Sequence, residues 1–234
     1  MPALVARSAS AVNSNTARMM STVTPPEDKM PFFALGVNLA KQIGGQFSGL
    51  VDTKGEEMDA VVAGFSQTMK GELKEDAAAI MSQYGPKLNE VLKERAGNII
   101  GVKKTEGADY INKFLADNKD ATTHESGIVV KHTVEGTGAQ PGINDTVEVH
   151  YHGMLIDGTV FDSSVQRGQT ISFPLLNVIK GWQEGLQLMK EGGKATLVIP
   201  SDLAYGDAGS GETISPGATL VFEVELFKVE EKKE

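Results

Sequence analysis

The chain of 234 residues contains no cysteine, which removes disulfides and thiolate metal sites from consideration. It has no run of about 18 apolar residues, so no segment reads as a membrane span. Basic charge is scarce. The 22 Lys+Arg stand against 31 Asp+Glu, a net −9, and no basic stripe offsets it, which argues against an electrostatic nucleic-acid binder. Histidines are few: only four occur. His150 and His152 share one face of a predicted strand, but zinc needs at least a third protein ligand and no adjacent carboxylate supplies it. No metal site is therefore expected. Nucleophilic catalysis lacks its usual setting, because Ser163, Ser164 and Ser201 have no Gly-x-Ser-x-Gly elbow around them. The glycine-rich stretches GGQFSG and EGTGAQPG do not join a strand to a helix as a phosphate cradle would. Asp162 has no second acid in a comparable aromatic setting, so acid/base hydrolysis is a weak reading and no cofactor is expected.

What is present divides the chain in three. Residues 1–26 contain two arginines, seven Ser/Thr and no acid, with no continuous apolar core of a secretory signal. This composition reads as an organellar transit peptide, for a mitochondrion or plastid; a disordered tail on a cytoplasmic protein is the alternative. Without it, 20 basic residues face 31 acidic ones and the net charge becomes −11.

Residues 27–120 carry a helical period. Phe33, Val37, Ala40 and Ile43 fall on one stripe, and Met58, Val61, Val62, Phe65 and Met69 on another. A longer segment runs through Leu73, Ala77, Ile80, Tyr84, Leu88 and Val91. Its register continues across Gly85-Pro86, so it reads as one kinked helix more than a clean break. Two short helices and a long one make a thin core, and their apolar stripes need another surface. A dimerisation module is the favoured reading; a helical cap folded on its own C-terminal half is the alternative.

From about residue 127 the period becomes two, in segments rich in β-branched residues and separated by Gly, Pro and Asp turns. Asp157-Gly158 signals a two-residue hairpin. Only NVIKGWQEGLQLMKEG is helical in pattern, with Ile179, Trp182, Leu186 and Met189 on one side and Asn177 as candidate N-cap. The expected class is α+β: an antiparallel sheet wrapped on one short helix over residues 121–234, preceded by the all-α region. Tyr151, Phe161, Phe173, Val178, Ile179, Trp182, Tyr205, Ile214 and Phe222 form an apolar collection that could simply be the core. Two features point to a small-ligand pocket instead. Asp162 directly follows Phe161 at a strand end, and Tyr205 opens the loop GDAGSGETISPGA.

At these residues, VEVHYHGMLIDGTVFDSS, VIKGWQEGLQLMKEGGKATLVIPSDLAYG and PGATLVFEVELFKVE resemble the FKBP-type peptidyl-prolyl isomerases, in order over about residues 121–230. The long helix ending in FLADNK and the LIDGTVFDSS wording are similar to the macrophage infectivity potentiator type, whose helical N-terminal region forms a homodimer. The resemblance implies a pocket with Trp182 as floor and Tyr151, Phe161, Val178, Ile179 and Phe222 as walls. It also implies Asp162 and Tyr205 as polar contacts, Phe173 as a further substrate contact and Ile214 on an overhanging loop. The activity implied is rotation of Xaa-Pro bonds in polypeptide clients, with macrolides such as rapamycin as ligands of the Ile179 amide and Tyr205 hydroxyl. Ile171 and Asn177 depart from the family's common residues. The rival class is a dimeric chaperone-like client binder, with Phe33, Met58, Phe65 and Met69 lining an apolar cradle and isomerisation incidental.

Overall fold

The computed structural model describes residues 25–44, 50–52 and 54–231. The expected leader lies outside the described residues except for its last two, as do GGQFSG beyond Gly44 and the side chain of Ile43. Contacts group the chain into two units, 1–48 and 49–234. The described part of the first is a single-turn 3₁₀ helix, Glu27–Lys29, leading into helix α1, Met30–Gly44. Phe32, Phe33, Leu35, Val37 and Leu39 are all exposed on α1, so the stripe that includes Phe33 and Val37 has no cover among the described residues.

The second unit opens with α2, Glu56–Lys70, ended by Gly71 in the left-handed region (φ 69°). It is held to the next helix by its first turn. Glu57 accepts two hydrogen bonds of 2.7 Å from Arg95, which also donates to the Leu50 carbonyl at 2.9 Å. Helix α3, Ala77–Asp117, has 41 residues and is about 60 Å long at 1.5 Å per residue. Asp76 starts it by accepting from the amides of Ala78 and Ala79. Pro86 lies inside an unbroken helical span, as the continuous register implied.

Seven strands follow: β1 (Thr122–Thr123), β2 (Val129–Val134), β3 (Thr146–Leu155), β4 (Val160–Ser163), β5 (Ile171–Pro174), β6 (Lys194–Ile199) and β7 (Leu220–Glu230). They pair antiparallel in the order β1-β2-β6-β7-β3-β4, and β5 takes the other half of the β3 edge. One turn of helix, α4 (Ser164–Arg167), joins β4 to β5, and α5 (Lys180–Gln187) crosses the sheet. The period-two reading of β3 holds residue by residue. Val147, Val149 and Tyr151 are buried while His150 and His152 are half-covered on the other face.

Trp182, Leu186 and Met189 of α5 and its C-terminal extension enter the core beside Val149, Leu197, Leu220 and Leu226. Gly181 and Gly185 make that approach possible. A Cβ on Gly181 would stand 2.3 Å from Ile199, and one on Gly185 2.8 Å from Leu197. The opposite sheet face carries a second cluster, in which Val129, Val198 and Val221 meet Tyr110, Ile111, Phe114 and Leu115 of α3. The last turns of α3 thus cover their own sheet, the arrangement weighed above as the alternative to dimerisation. Further up, Met81, Tyr84, Leu88 and Val102 remain exposed.

Two local expectations are corrected. Asn177 does not cap α5; it ends a 3₁₀ turn, Leu175–Asn177, and Ile179 is the cap, its carbonyl accepting from Trp182 and Gln183. The β3–β4 turn is longer than two residues. Leu155 N–H donates to Thr159 across Ile156, Asp157 and Gly158, and only Gly158 has positive φ (86°). A two-residue turn would need a left-handed residue at its first or at both central positions, and Asp157 does not adopt it.

Candidate active site

β3 supplies Tyr151, and the adjacent β7 supplies Phe222, paired across the ladder with Gly153. The missing side chain at Gly153 is what admits the rings. A Cβ there would stand 2.8 Å from Phe222 and 2.9 Å from Phe161. β4 contributes two consecutive residues, Phe161 and Asp162, although neighbours on a regular strand face opposite ways. The ladder explains this. Gly153 pairs with Asp162 and Met154 with Val160, so Phe161 is the extra residue of a bulge. A bulge re-aims a side chain, and here both residues reach one cavity.

The cavity has a volume of about 380 Å³ and is lined by Tyr151, Phe161, Asp162, Trp182, Tyr205 and Phe222, with Phe173, Val178 and Ile179. Ile171 and Asn177 complete the lining. Nine of the ten expected site residues therefore meet in one place. Ile214 does not line it: its side chain is buried in the core cluster, and its backbone pairs with Ser210 to close the loop on itself. Trp182 is the hub. Its ring lies 5.1 Å from Tyr151 at 83°, 5.1 Å from Phe222 at 82° and 5.3 Å from Phe173 at 47°. Phe161 meets Phe222 edge-on at 5.5 Å. Edge-to-face rings fix one another more firmly than their area alone would, by about 0.5–1.5 kcal/mol per pair. The pocket is apolar and held in shape before anything binds.

Its polar side is a closed triad. Asp162 accepts from the Tyr151 hydroxyl on one oxygen and from Arg167 on the other, and Arg167 also donates to the Tyr151 oxygen at 3.0 Å. The guanidinium sits 5.7 Å from the centre of the Tyr151 ring. Burial pushes the Asp162 carboxyl up, but the hydrogen bonds from Tyr151 and Arg167 outweigh it, and the group stays below the ordinary carboxylate range. Burial, reinforced by that carboxylate, raises the Tyr151 phenol, which remains a donor. The triad is a fixed acceptor arrangement, and it leaves no base poised to take a proton.

Arg167 is the member that sequence reasoning missed, and its signal is local. Ser163 caps α4 by accepting from Gln166 N–H, and Gly168 at φ 69° ends it. S-S-V-Q-R-G is thus a fully capped single turn, which brings the fifth residue after Asp162 back onto it. Ser164 holds the other end, accepting the Tyr151 N–H at 2.8 Å. The histidines are placed by the same serines: His150 Nδ1 lies 2.9 Å from Ser164 Oγ and His152 Nδ1 2.9 Å from Ser163 Oγ. Among the described residues no group of three His, Asp or Glu could hold a metal ion.

Comparison with known proteins places the chain. The family model for FKBP-type peptidyl-prolyl cis-trans isomerases matches residues 138–227. A probable FKBP-type isomerase of Haemophilus influenzae is 38% identical over 216 residues, covering 89% of this chain and 88% of that protein. FkpA of Escherichia coli is 37% identical over 225 residues, 95% of this chain and 75% of the relative. The isomerase Mip of Coxiella burnetii is 44% identical over 128 residues, 53% of this chain and 56% of the relative. The crystal structure of FkpA from Escherichia coli superposes with a TM-score of 0.62 at 32% identity, over 88% of this chain and 98% of that one.

Proposed function

The chain belongs to the FKBP-type peptidyl-prolyl cis-trans isomerases, and on that premise we propose how its pocket turns the Xaa-Pro bond. The planar amide resists rotation by about 18–20 kcal/mol because it must lose its resonance. No bond is made or broken, so no nucleophile or general base is needed. The twisted amide carries less charge separation than the planar one. A dehydrated apolar cavity therefore favours the twisted form relative to the ground state.

In this reading the prolyl ring lies over Trp182, walled by Tyr151, Phe161 and Phe222. Phe173, Val178 and Ile179 bear on the residues flanking it, and Tyr205 faces its carbonyl. Asp162 keeps the Tyr151 ring at its angle, and the Tyr205 hydroxyl is free to turn toward substrate at the rim. Ile214 contributes through the loop it closes. The observation that carries the reading is the interlocked ring set around Trp182. Trp182→Ala is expected to lower kcat/KM on a prolyl tetrapeptide by about tenfold or more, about 1.4 kcal/mol of lost transition-state binding. An unchanged kcat/KM in a folded variant would refute it. Rapamycin is expected to compete for the same cavity and to quench Trp182, the only tryptophan.

The helical region supports a second proposal, that the protein works as a homodimer whose helices hold unfolded clients near the pocket. Val62, Phe65 and Met69 are exposed on α2. Apolar side chains aligned on one helix suit either a partner protomer or a client segment. Light scattering on the full chain tests it, and a monomer at micromolar concentration would end the dimer reading.

A further inference from the structure

The segment from Ser201 to Thr219 carries Tyr205 to the rim, and it is fastened to something outside the sheet. Tyr205 sits between two single 3₁₀ turns, Ser201–Leu203 and Gly206–Ala208. Each turn contains an aspartate, Asp202 and Asp207, and both carboxylates converge on Lys104 of α3. The ammonium lies 2.9 Å from Asp202 and 3.0 Å from Asp207. The two aspartates therefore flank Tyr205 at −3 and +2, and one cation on the long helix spans them.

The far end of the segment rests on the same helix. Gly217, at φ 79°, approaches so closely that a Cβ would stand 2.9 Å from the Ile100 carbonyl oxygen. Thr219 fills the space a side chain would need at Gly107, whose Cβ would lie 2.1 Å from its hydroxyl. Gly217 N–H also donates to the Gly206 carbonyl at 2.9 Å, tying the two ends of the loop together. Residues 100, 104 and 107 are one and two turns apart, so these contacts lie along a single stripe of α3. Tyr205 itself is 39% exposed, and among the described residues no side-chain hydrogen bond involves its hydroxyl. Its place at the rim is set by its neighbours rather than by its own side chain.

We propose that Lys104 is a positioning residue of the isomerase: by bridging Asp202 and Asp207 from α3, it holds the segment that presents Tyr205 to substrate. The long helix is then part of the active-site frame, and the helical and isomerase portions of this unit are functionally one. The inference rests on the reading of Tyr205 as a substrate contact, so the test separates the two.

The full chain is assayed for kcat and KM on a prolyl tetrapeptide, as wild type, Lys104→Met, Lys104→Arg, Asp202→Asn/Asp207→Asn and Tyr205→Ala. Lys104→Met is expected to raise KM about two- to fivefold with kcat little changed, in the range of two surface ion pairs acting together. Lys104→Arg restores the wild-type value. The double asparagine variant reproduces the loss, and adding Lys104→Met to it causes no further change, because all three groups form one network. Salt provides an independent readout. Raising ionic strength lifts the wild-type KM toward that of Lys104→Met, whose own KM responds less. A wild-type KM and salt response in Lys104→Met, while Tyr205→Ala raises KM, would overturn the positioning role and leave the site reading intact. A lowered melting temperature with unchanged KM overturns it equally, since the bridge is then only a tether. No effect of Tyr205→Ala would remove the site reading, and the inference with it.

Discussion

Asp162 has both carboxylate oxygens occupied, one by a phenol and one by a guanidinium, and this governs how the pocket responds to pH. Its folded-state pKa lies below the usual value near 3.8, so the triad is intact at and above that value and opens only as pH falls through the depressed one. Activity carried by Asp162 is expected to stay level from about pH 5 to pH 8. Removing the guanidinium takes away its hydrogen bond and its charge, so burial is then opposed only by the hydrogen bonds from Tyr151 and the Ser163 backbone. The pH profile of Arg167→Met should show its acidic fall displaced upward, with kcat/KM about two- to tenfold lower at neutral pH. A profile superimposable on wild type would exclude Arg167 from the site's electrostatics. Gly153→Ala tests the packing side, because its methyl would stand 2.8 Å from the Phe222 ring and 2.9 Å from that of Phe161, and both would have to shift toward the cavity. A loss of about 1–3 kcal/mol in urea-melt stability is expected, with weaker tetrapeptide turnover. These residues differ in how visible they were beforehand. Tyr151, Phe161 and Trp182 were legible as large apolar side chains in a matching pattern. Arg167 was not, since an exposed arginine in a loop looks like any other until the capped turn of α4 folds it back.

At the scale of elements, strand parity was readable from alternation and the path of α3 from its spacing, Pro86 notwithstanding. What could not be read was the bulge in β4. Period two predicts that Phe161 and Asp162 face apart, and only the pairing of β4 with β3 shows the inserted residue. The Asp157-Gly158 loop differs for a related reason, because local preference does not count residues across a ladder, whereas Asn177 is no cap because the 3₁₀ turn Leu175–Asn177 puts the helix start at Lys180. The join of α2 to α3 makes a separate prediction. The paired hydrogen bonds from Arg95, then that from the Asp52 amide, hold the Glu57 carboxyl at about 2, against an ordinary value of 4.5. A depressed carboxylate contributes stability above its unfolded pKa and loses it as pH falls through the folded one. Glu57→Gln should therefore melt below wild type at pH 7, and the difference should shrink below about pH 4.5 and vanish near pH 2. A difference that persists at pH 2 would mean packing, not charge, joins the helices.

For the molecule as a whole, the docking of α3 on the outer sheet face decides where the chain can be divided. Tyr110, Ile111 and Phe114 cover Val129, Val198 and Val221, so a chain beginning at residue 116 would uncover that face and lose Lys104 with it. Such a truncation is expected to be less stable and to bind tetrapeptide more weakly. A chain beginning at residue 72 keeps both sets of contacts. It should turn over tetrapeptides like the full chain while losing acceleration of a proline-limited refolding reaction, if α1 and α2 recruit clients. Equal refolding rates in the two would leave client binding without support. The bulge carries one more consequence, for how this enzyme can vary. Because Phe161 stands outside the pairing, a changed codon there alters one wall of the cavity and leaves every hydrogen bond of the ladder in place. A lost codon brings the pairs Gly153–Asp162 and Met154–Val160 into regular succession, so Asp162 stays opposite Gly153 and keeps its triad while the cavity loses one aromatic wall. Among related genes, position 161 should vary among bulky residues, and a gap in its alignment column should mark a pocket that keeps Asp162 in place but stands open on the side Phe161 closes here.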